Sequence, residues 1–191
     1  MSHWSDVKTA LDAGEVVILP TETVYGLAAC ADMSEAVSKI YDIKGRDFDK
    51  PLAVCVKDIE QAKALAHFDM LSQQLAERYW PGSLTLVLNL KDCTDLDPRV
   101  TSNINGVATI ALRCPDADWR ANISDPLALT SANRSGEPDC VNHAEAMTEL
   151  GQEIAASLST DAPLSGAPST VLRVENGKLT VFRQGDLRVE L

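Results

Sequence analysis

Three polar segments follow apolar runs in this sequence, and they carry most of the side chains that could do chemistry. At 20–27, PTETVYGL offers the hydroxyls of Thr21 and Thr23 and the carboxylate of Glu22, then Gly26, which lets the backbone come close to a ligand. At 44–52, KGRDFDKPL sets Lys44, Arg46 and Lys50 within seven positions. Lysine meets a phosphate as a point charge and arginine as a planar fork, so the trio suits a polyphosphate. The same cations also complement a helix C-terminus, and Asp47 and Asp49 neutralise part of them. At 127–138, LALTSANRSGEP places Ser131 and Asn133 two residues apart. In extended backbone their side chains share one side and can meet polar ligand groups, although both types also end strands in local turns. Arg113 and Arg183, each near a strand end, offer either further anion contacts or surface charge.

What is missing narrows the chemistry. The chain has no G-x-x-x-x-G-K-[ST] loop, no G-x-G-x-x-G after the first strand, no G-x-S-x-G elbow and no H-E-x-x-H. Its histidines, His3, His67 and His143, lie far apart and read as surface or cap residues. No metal ligand set is legible, Glu22, Asp47 and Asp49 being only candidates. With 17 basic and 28 acidic residues the net charge is -11, which opposes charge-driven binding to nucleic acid and makes any phosphate site local. Five scattered cysteines, with no C-x-x-C pair, point to a reduced compartment. No basic start leads into an apolar stretch and no apolar window reaches membrane length, so a soluble cytoplasmic protein is expected, with no membrane partner.

The elements that must position these segments follow from periodicity. Ser5 is placed to cap a short helix ending near Gly14, and 16–19 reads as a buried strand stopped by Pro20. Asp32 and Glu35 have capping-box spacing before a helix that runs to Lys44. A second apolar run at 52–56 leads into helical pattern through Ala62 and Leu65, then Leu71 and Leu75, as far as Tyr79, where WPG breaks it. Runs at 84–90, 107–112 and 127–130 read as strands, and 91–105 as a surface loop. In STVLRVENGKLTVFR the Asn-Gly pair between two β-rich runs signals a hairpin. The fold class expected is α/β, a single domain over 1–191 with one twisted sheet of mixed parallel and antiparallel strands and flanking helices.

Taken in order, PTETVYGL, KGR followed by KPL, WPGSLT, LRCP, TSANRSGEP, PSTVL and a closing RQG resemble the YrdC family over nearly the whole chain. The resemblance implies an open concave cavity, locally positive, in the family's short form without a further C-terminal domain. It implies a nucleotidyltransferase, an L-threonylcarbamoyladenylate synthase that uses ATP with Mg²⁺, L-threonine and bicarbonate. Its product would pass to a downstream tRNA threonylcarbamoyl transferase for the N6-threonylcarbamoyladenosine modification, with a weak tRNA contact besides. By that resemblance Lys44, Arg46, Ser131 and Asn133 lie at the reaction site. Arg46, Lys50, Thr109, Asn133 and Arg183 match positions that contact the nucleotide, and Thr23, Arg113, Ser131 and Ser169 match positions around threonine. The chain departs from the family at Asp47 and Ser83, both often proline, and at Cys55, where some relatives place a polar threonine contact. Two other readings stand beside this one: a double-stranded RNA or tRNA binding module without chemistry, and a divergent relative acting on another nucleotide or carbamoyl substrate.

Overall fold

Most strands of this chain do not alternate apolar and polar residues, because the sheet they form is covered over much of both faces. A computed structural model describes residues 3–92, 95–175 and 177–190. In chain order the elements are α1 (Trp4–Asp12), β1 (Val17–Pro20), β2 (Tyr25–Cys30), α2 (Ser34–Lys44), β3 (Ala53–Cys55), α3 (Ile59–Leu65), β4 (Ala66–His67), α4 (Met70–Tyr79) and β5 (Leu84–Leu90). A 3₁₀ turn (Pro98–Val100), β6 (Thr101–Ile104), β7 (Val107–Arg113), a second 3₁₀ turn (Asp118–Asn122), β8 (Leu127–Ser131), α5 (His143–Leu150), β9 (Ala156–Ser157), β10 (Thr170–Glu175) and β11 (Lys178–Arg183) follow.

All the strands join one sheet in the order β11-β10-β5-β7-β3-β8-β2-β1-β9, with β4 added to β5 and β6 to β7. The pairs β1–β9, β3–β7 and β10–β5 are parallel and the rest antiparallel, so the mixed α/β sheet with flanking helices is as the sequence implied. One face packs on helices: Ile18, Leu27, Val54, Leu86, Leu112 and Leu172 meet Val37, Ile40 and Tyr41 of α2 and Leu75 of α4. Each such fully buried aliphatic side chain contributes about 1.5–3 kcal/mol. The other face has a smaller core at one end only, where Val17, Leu19, Cys55 and Leu127 pack on Val7 and Leu11 of α1 and on Trp119. Over β5, β7 and β10 that second face carries no helix among the described residues.

Several local readings shift. The N-cap of α1 is His3 rather than Ser5, and Asp6 accepts its backbone N–H at 2.8 Å. The N-cap of α2 is Met33, without a side-chain cap, so Asp32 does not serve there. The stretch read as a surface loop over 91–105 contributes a 3₁₀ turn and β6, which pairs with β7. The long helical pattern is two helices, α3 and α4, separated by four residues, of which Ala66–His67 form β4. The β10–β11 hairpin forms, with Gly177 at φ 70; Asn176 of its turn, like Cys93, lies outside the described residues. The other four cysteines are buried and free. Among the described residues no helix is long and apolar enough to cross a membrane.

Candidate functional site

The uncovered part of the sheet is a cavity floor, and strand register selects its residues. Residues on β5, β7 and β10 that point away from the helices include Thr85, Val87, Ala111, Arg113 and Val171. Thr85 stands opposite Arg113 on β7 and Val171 on β10, and Val87 stands opposite Ala111. Around this floor rise the loop after β1 with Thr21 and Thr23, the loop after α2 with Arg46 and Pro51, β6, the end of β8 with Ser131, and the segments bearing Ser169 and Arg183. They enclose about 570 Å³, a volume suited to a small-molecule ligand. At Gly26 an added Cβ would sit 2.8 Å from Leu129 Cδ1 and 3.1 Å from the Thr130 carbonyl oxygen, so a larger residue would push the Leu129 side chain aside at the cavity wall.

Positive charge is concentrated here although the chain carries a net charge of -11. Arg46, Arg113 and Arg183 all line the cavity, and Asp139 is the one carboxylate among the described lining residues. Each guanidinium is tied down by the protein. Arg46 Nε donates to the Lys50 carbonyl at 3.1 Å. Arg113 Nη2 donates to Glu22 Oε1 and to Thr23 Oγ1, both at 2.8 Å. Arg183 donates from Nε to the Ser169 carbonyl at 3.0 Å and from Nη2 to Ser169 Oγ at 3.1 Å. Burial first, then the charges of Arg113 and Arg46, hold Arg183 below its ordinary pKa. Arg113 Nε is buried without a partner, an unsatisfied donor that an anion would satisfy.

Behind this wall lies a knot centred on Lys44. Gly45, in the left-handed conformation at φ 58, ends α2 and turns the chain toward Arg46. The Lys44 ammonium, almost fully buried, donates to the Ser131 carbonyl at 2.6 Å, the Asn133 carbonyl at 2.6 Å and Asn133 Oδ1 at 2.9 Å. Burial, helped by the Arg46 charge, brings its pKa down to about 8. Asn133 Oδ1 also accepts from Ser131 Oγ at 2.6 Å, so that hydroxyl has lone pairs and no proton left for the cavity. The first loop is ordered in the same manner: Thr21 Oγ1 donates to the Val24 carbonyl at 2.7 Å. The Thr21–Thr23 hydroxyl bond of 2.8 Å must then take its proton from Thr23, which accepts from Arg113.

Of the residues expected from the sequence, Thr23, Arg46, Arg113, Ser131, Ser169 and Arg183 line the one cavity. Lys44 and Asn133 stand just behind Ser131. Thr109 is buried on β7 beside β6, its hydroxyl 2.8 Å from Ser102 Oγ, and Ser102 in turn lines the cavity. Lys50 is exposed and pairs with Asp47 at 2.8 Å. Cys55 is fully buried in the smaller core, where burial raises its thiol pKa. The cavity also takes in Thr85, Ser102, Asn103, Asp139 and Phe182, which the sequence did not single out. Only Thr85 carried a signal, because it belongs to WPGSLT. Glu22 is engaged by Arg113, by Ser83 Oγ at 3.1 Å and by the Asp116 N–H at 3.1 Å. Among the described residues no three His, Cys, Asp or Glu side chains converge as a metal cluster.

A sequence model of the Sua5/YciO/YrdC family, described as telomere recombination, matches residues 9–185. The chain is 39% identical over 185 residues to a threonylcarbamoyl-AMP synthase of Bacillus subtilis, covering 94% of this chain and 52% of that protein. It is 28% identical over 189 residues to a threonylcarbamoyl-AMP synthase of Vibrio campbellii, covering 97% of this chain and 100% of that one. The solved structure of Pyrococcus abyssi Sua5 in complex with L-threonine superposes with a TM-score of 0.86 at 31% identity, over 95% of this chain and 53% of that one. The chain thus spans about half the length of the Bacillus and Pyrococcus relatives.

Proposed function

The chain belongs to the Sua5/YciO/YrdC family, and from that membership we propose that it forms L-threonylcarbamoyladenylate and pyrophosphate from L-threonine, bicarbonate and ATP. The observation that carries this reading is the convergence of three guanidiniums from distant parts of the chain on one cavity beside the Ser131–Asn133 wall. Tethered donors of this kind stabilise developing negative charge without reorganising during the reaction. Arg46 and Arg183 suit the phosphates. Arg113, with its unpartnered Nε, suits the threonine carboxylate, and the acceptor lone pairs of Ser131 suit the ammonium from which the reacting amine derives.

The threonine nitrogen bonds to the carbon of bicarbonate, water leaves, and the resulting carbamate oxygen attacks the α-phosphorus as the bond to the β-phosphate oxygen breaks. The protein needs no nucleophile for this; alignment and positive charge are what it supplies. The cavity fits a divalent cation that arrives with the triphosphate. Asp139 is the one described lining carboxylate, Glu22 is already engaged, and Mg²⁺ is commonly held by substrate phosphates with one or two carboxylates and water. When bound, Mg²⁺ offsets charge on the phosphates. The adenylate then passes to a tRNA threonylcarbamoyl transferase. The test is pyrophosphate release by purified protein given ATP and bicarbonate: release that depends on threonine supports the reading, and release that ignores threonine refutes it.

A further inference from the structure

The proposed reaction assigns arginines to the phosphates but nothing to the base, and the sheet edge supplies a residue for it. On β10 and β11, Leu172 stands opposite Val181 while the next residue back, Val171, stands opposite Arg183. Phe182 is therefore the extra residue of a bulge. In a regular strand neighbours point to opposite faces, so Phe182 and Arg183 would part company. The bulge re-aims them, and both line the cavity.

Phe182 is the one aromatic side chain among the described residues lining that space, and it is 50% exposed. Its neighbour Arg183 is fixed through Ser169 at 3.0 Å, in the field of Arg113 and Arg46. A flat apolar surface one residue from a phosphate-seeking guanidinium matches a ligand with an anionic end and an aromatic end. Across the cavity, Val100 and Ile104 offer apolar surface. Asn103 uses Oδ1 to accept from the Gly106 N–H at 2.8 Å, leaving its amide donors for a base edge.

We propose that Phe182 is the stacking platform for the nucleobase and sets the preference of this site for a nucleotide over a bare polyphosphate. The inference rests on the nucleotide reading above and adds to it the residue that recognises the base. Stacking of a base on an aromatic ring has an effect of about tenfold to a hundredfold on affinity when the ring is removed.

The experiment is calorimetric titration of the wild type, Phe182→Ala and Phe182→Tyr with ATP and with inorganic triphosphate, after thermal unfolding has shown all three folded. Phe182→Ala should weaken ATP about tenfold to a hundredfold, leave inorganic triphosphate within about twofold, and Phe182→Tyr should restore ATP binding. Equal ATP affinity in wild type and Phe182→Ala, with threonine-dependent pyrophosphate release intact, overturns the platform and leaves the synthase reading standing. Equal weakening of ATP and inorganic triphosphate also overturns it, since that marks a general distortion of the edge. A wild type that binds no ATP overturns both.

Discussion

Replacing Lys44 with methionine tests the knot behind the cavity, because it keeps the stem and removes the charge. The folded protein brings this lysine from an ordinary 10.5 to about 8, so burying the ammonium opposes folding. At 1.36 kcal/mol for each pH unit, that gap is worth about 3 kcal/mol. Between pH 8 and 10.5 the unfolded chain keeps the Lys44 proton and the folded chain has released it, so this lysine's contribution to stability should rise with pH through this window, while the buried thiols of Cys30, Cys55, Cys114 and Cys140, held above their ordinary pKa, act the other way above pH 9 in wild type and variant alike. Methionine abolishes the rise. At pH 7 it gains back the cost of burying a charge but takes the Lys44 donor from three oxygens at Ser131 and Asn133, of which Asn133 Oδ1 keeps Ser131 Oγ, each a loss of up to about 1–3 kcal/mol. The two effects oppose, but three such losses sum to about 3–9 kcal/mol against about 3 kcal/mol recovered, so the variant should be no more stable than wild type at pH 7 and up to about 6 kcal/mol less stable. Freed from Lys44, the Ser131–Asn133 wall shifts, and misplacement of about 1 Å costs on the order of a hundredfold in rate. Denaturant unfolding from pH 7 to 10.5, paired with threonine-dependent pyrophosphate release, reads both. A wild type that gains no stability over the variant as pH rises from 8 to 10.5, or a variant that keeps wild-type turnover, refutes the reasoning.

Three further outcomes follow from other parts of the fold. Arg46→Ala should lower kcat/KM by about a hundredfold to a thousandfold while thermal unfolding stays near wild type, because its protein bonds are at the exposed rim. Asp97, whose side chain is 2% exposed, is gripped by Arg99 through Nε at 2.8 Å and Nη2 at 2.9 Å, and these bonds hold its carboxyl down to about 2. Asp97→Asn should therefore lose about 2 kcal/mol at pH 7, and the wild type should lose the same increment as pH falls from 3.8 through 2, which acid unfolding curves will show. At Gly185 an added Cβ would lie 2.0 Å from the Pro168 carbonyl oxygen and 2.6 Å from the Ser169 carbonyl carbon. Gly185→Ala should cost about 1–3 kcal/mol or more in thermal unfolding and weaken ATP binding by moving Ser169 and Arg183.

Those contacts also show what a linear reading can and cannot reach. Gly45, the apolar face of α2 and the β10–β11 turn announce themselves through local conformational needs, so the elements around the second and last motifs were legible. β2 was not, because its six residues are buried on both faces and Ala28, Ala29 and Cys30 give no period-2 contrast to read. β6 escaped for the opposite reason: Thr101, Ser102 and Asn103 are polar and gain strand structure only from pairing with β7. α5 was not read as a helix at all, although Asn142 caps it by accepting the Glu145 N–H, and α2 lacks a side-chain cap, so its start was read one residue early at Asp32. In the site, the residue types Lys44, Ser131 and Asn133 were visible in their motifs. The bonds between them were not, because two of the three acceptors of Lys44 are backbone carbonyls 87 and 89 positions away. Asp139 and Phe182 reach the cavity through loop path and a strand bulge, which leave no mark on residue type or spacing.

Mass spectrometry of the product made from ATP, L-threonine and carbon-13 bicarbonate tests the central claim most directly. The account predicts an adenylate that contains the threonine and carries the labelled carbon, formed in step with pyrophosphate. Pyrophosphate released with no such adenylate, or an adenylate without the label, would contradict it.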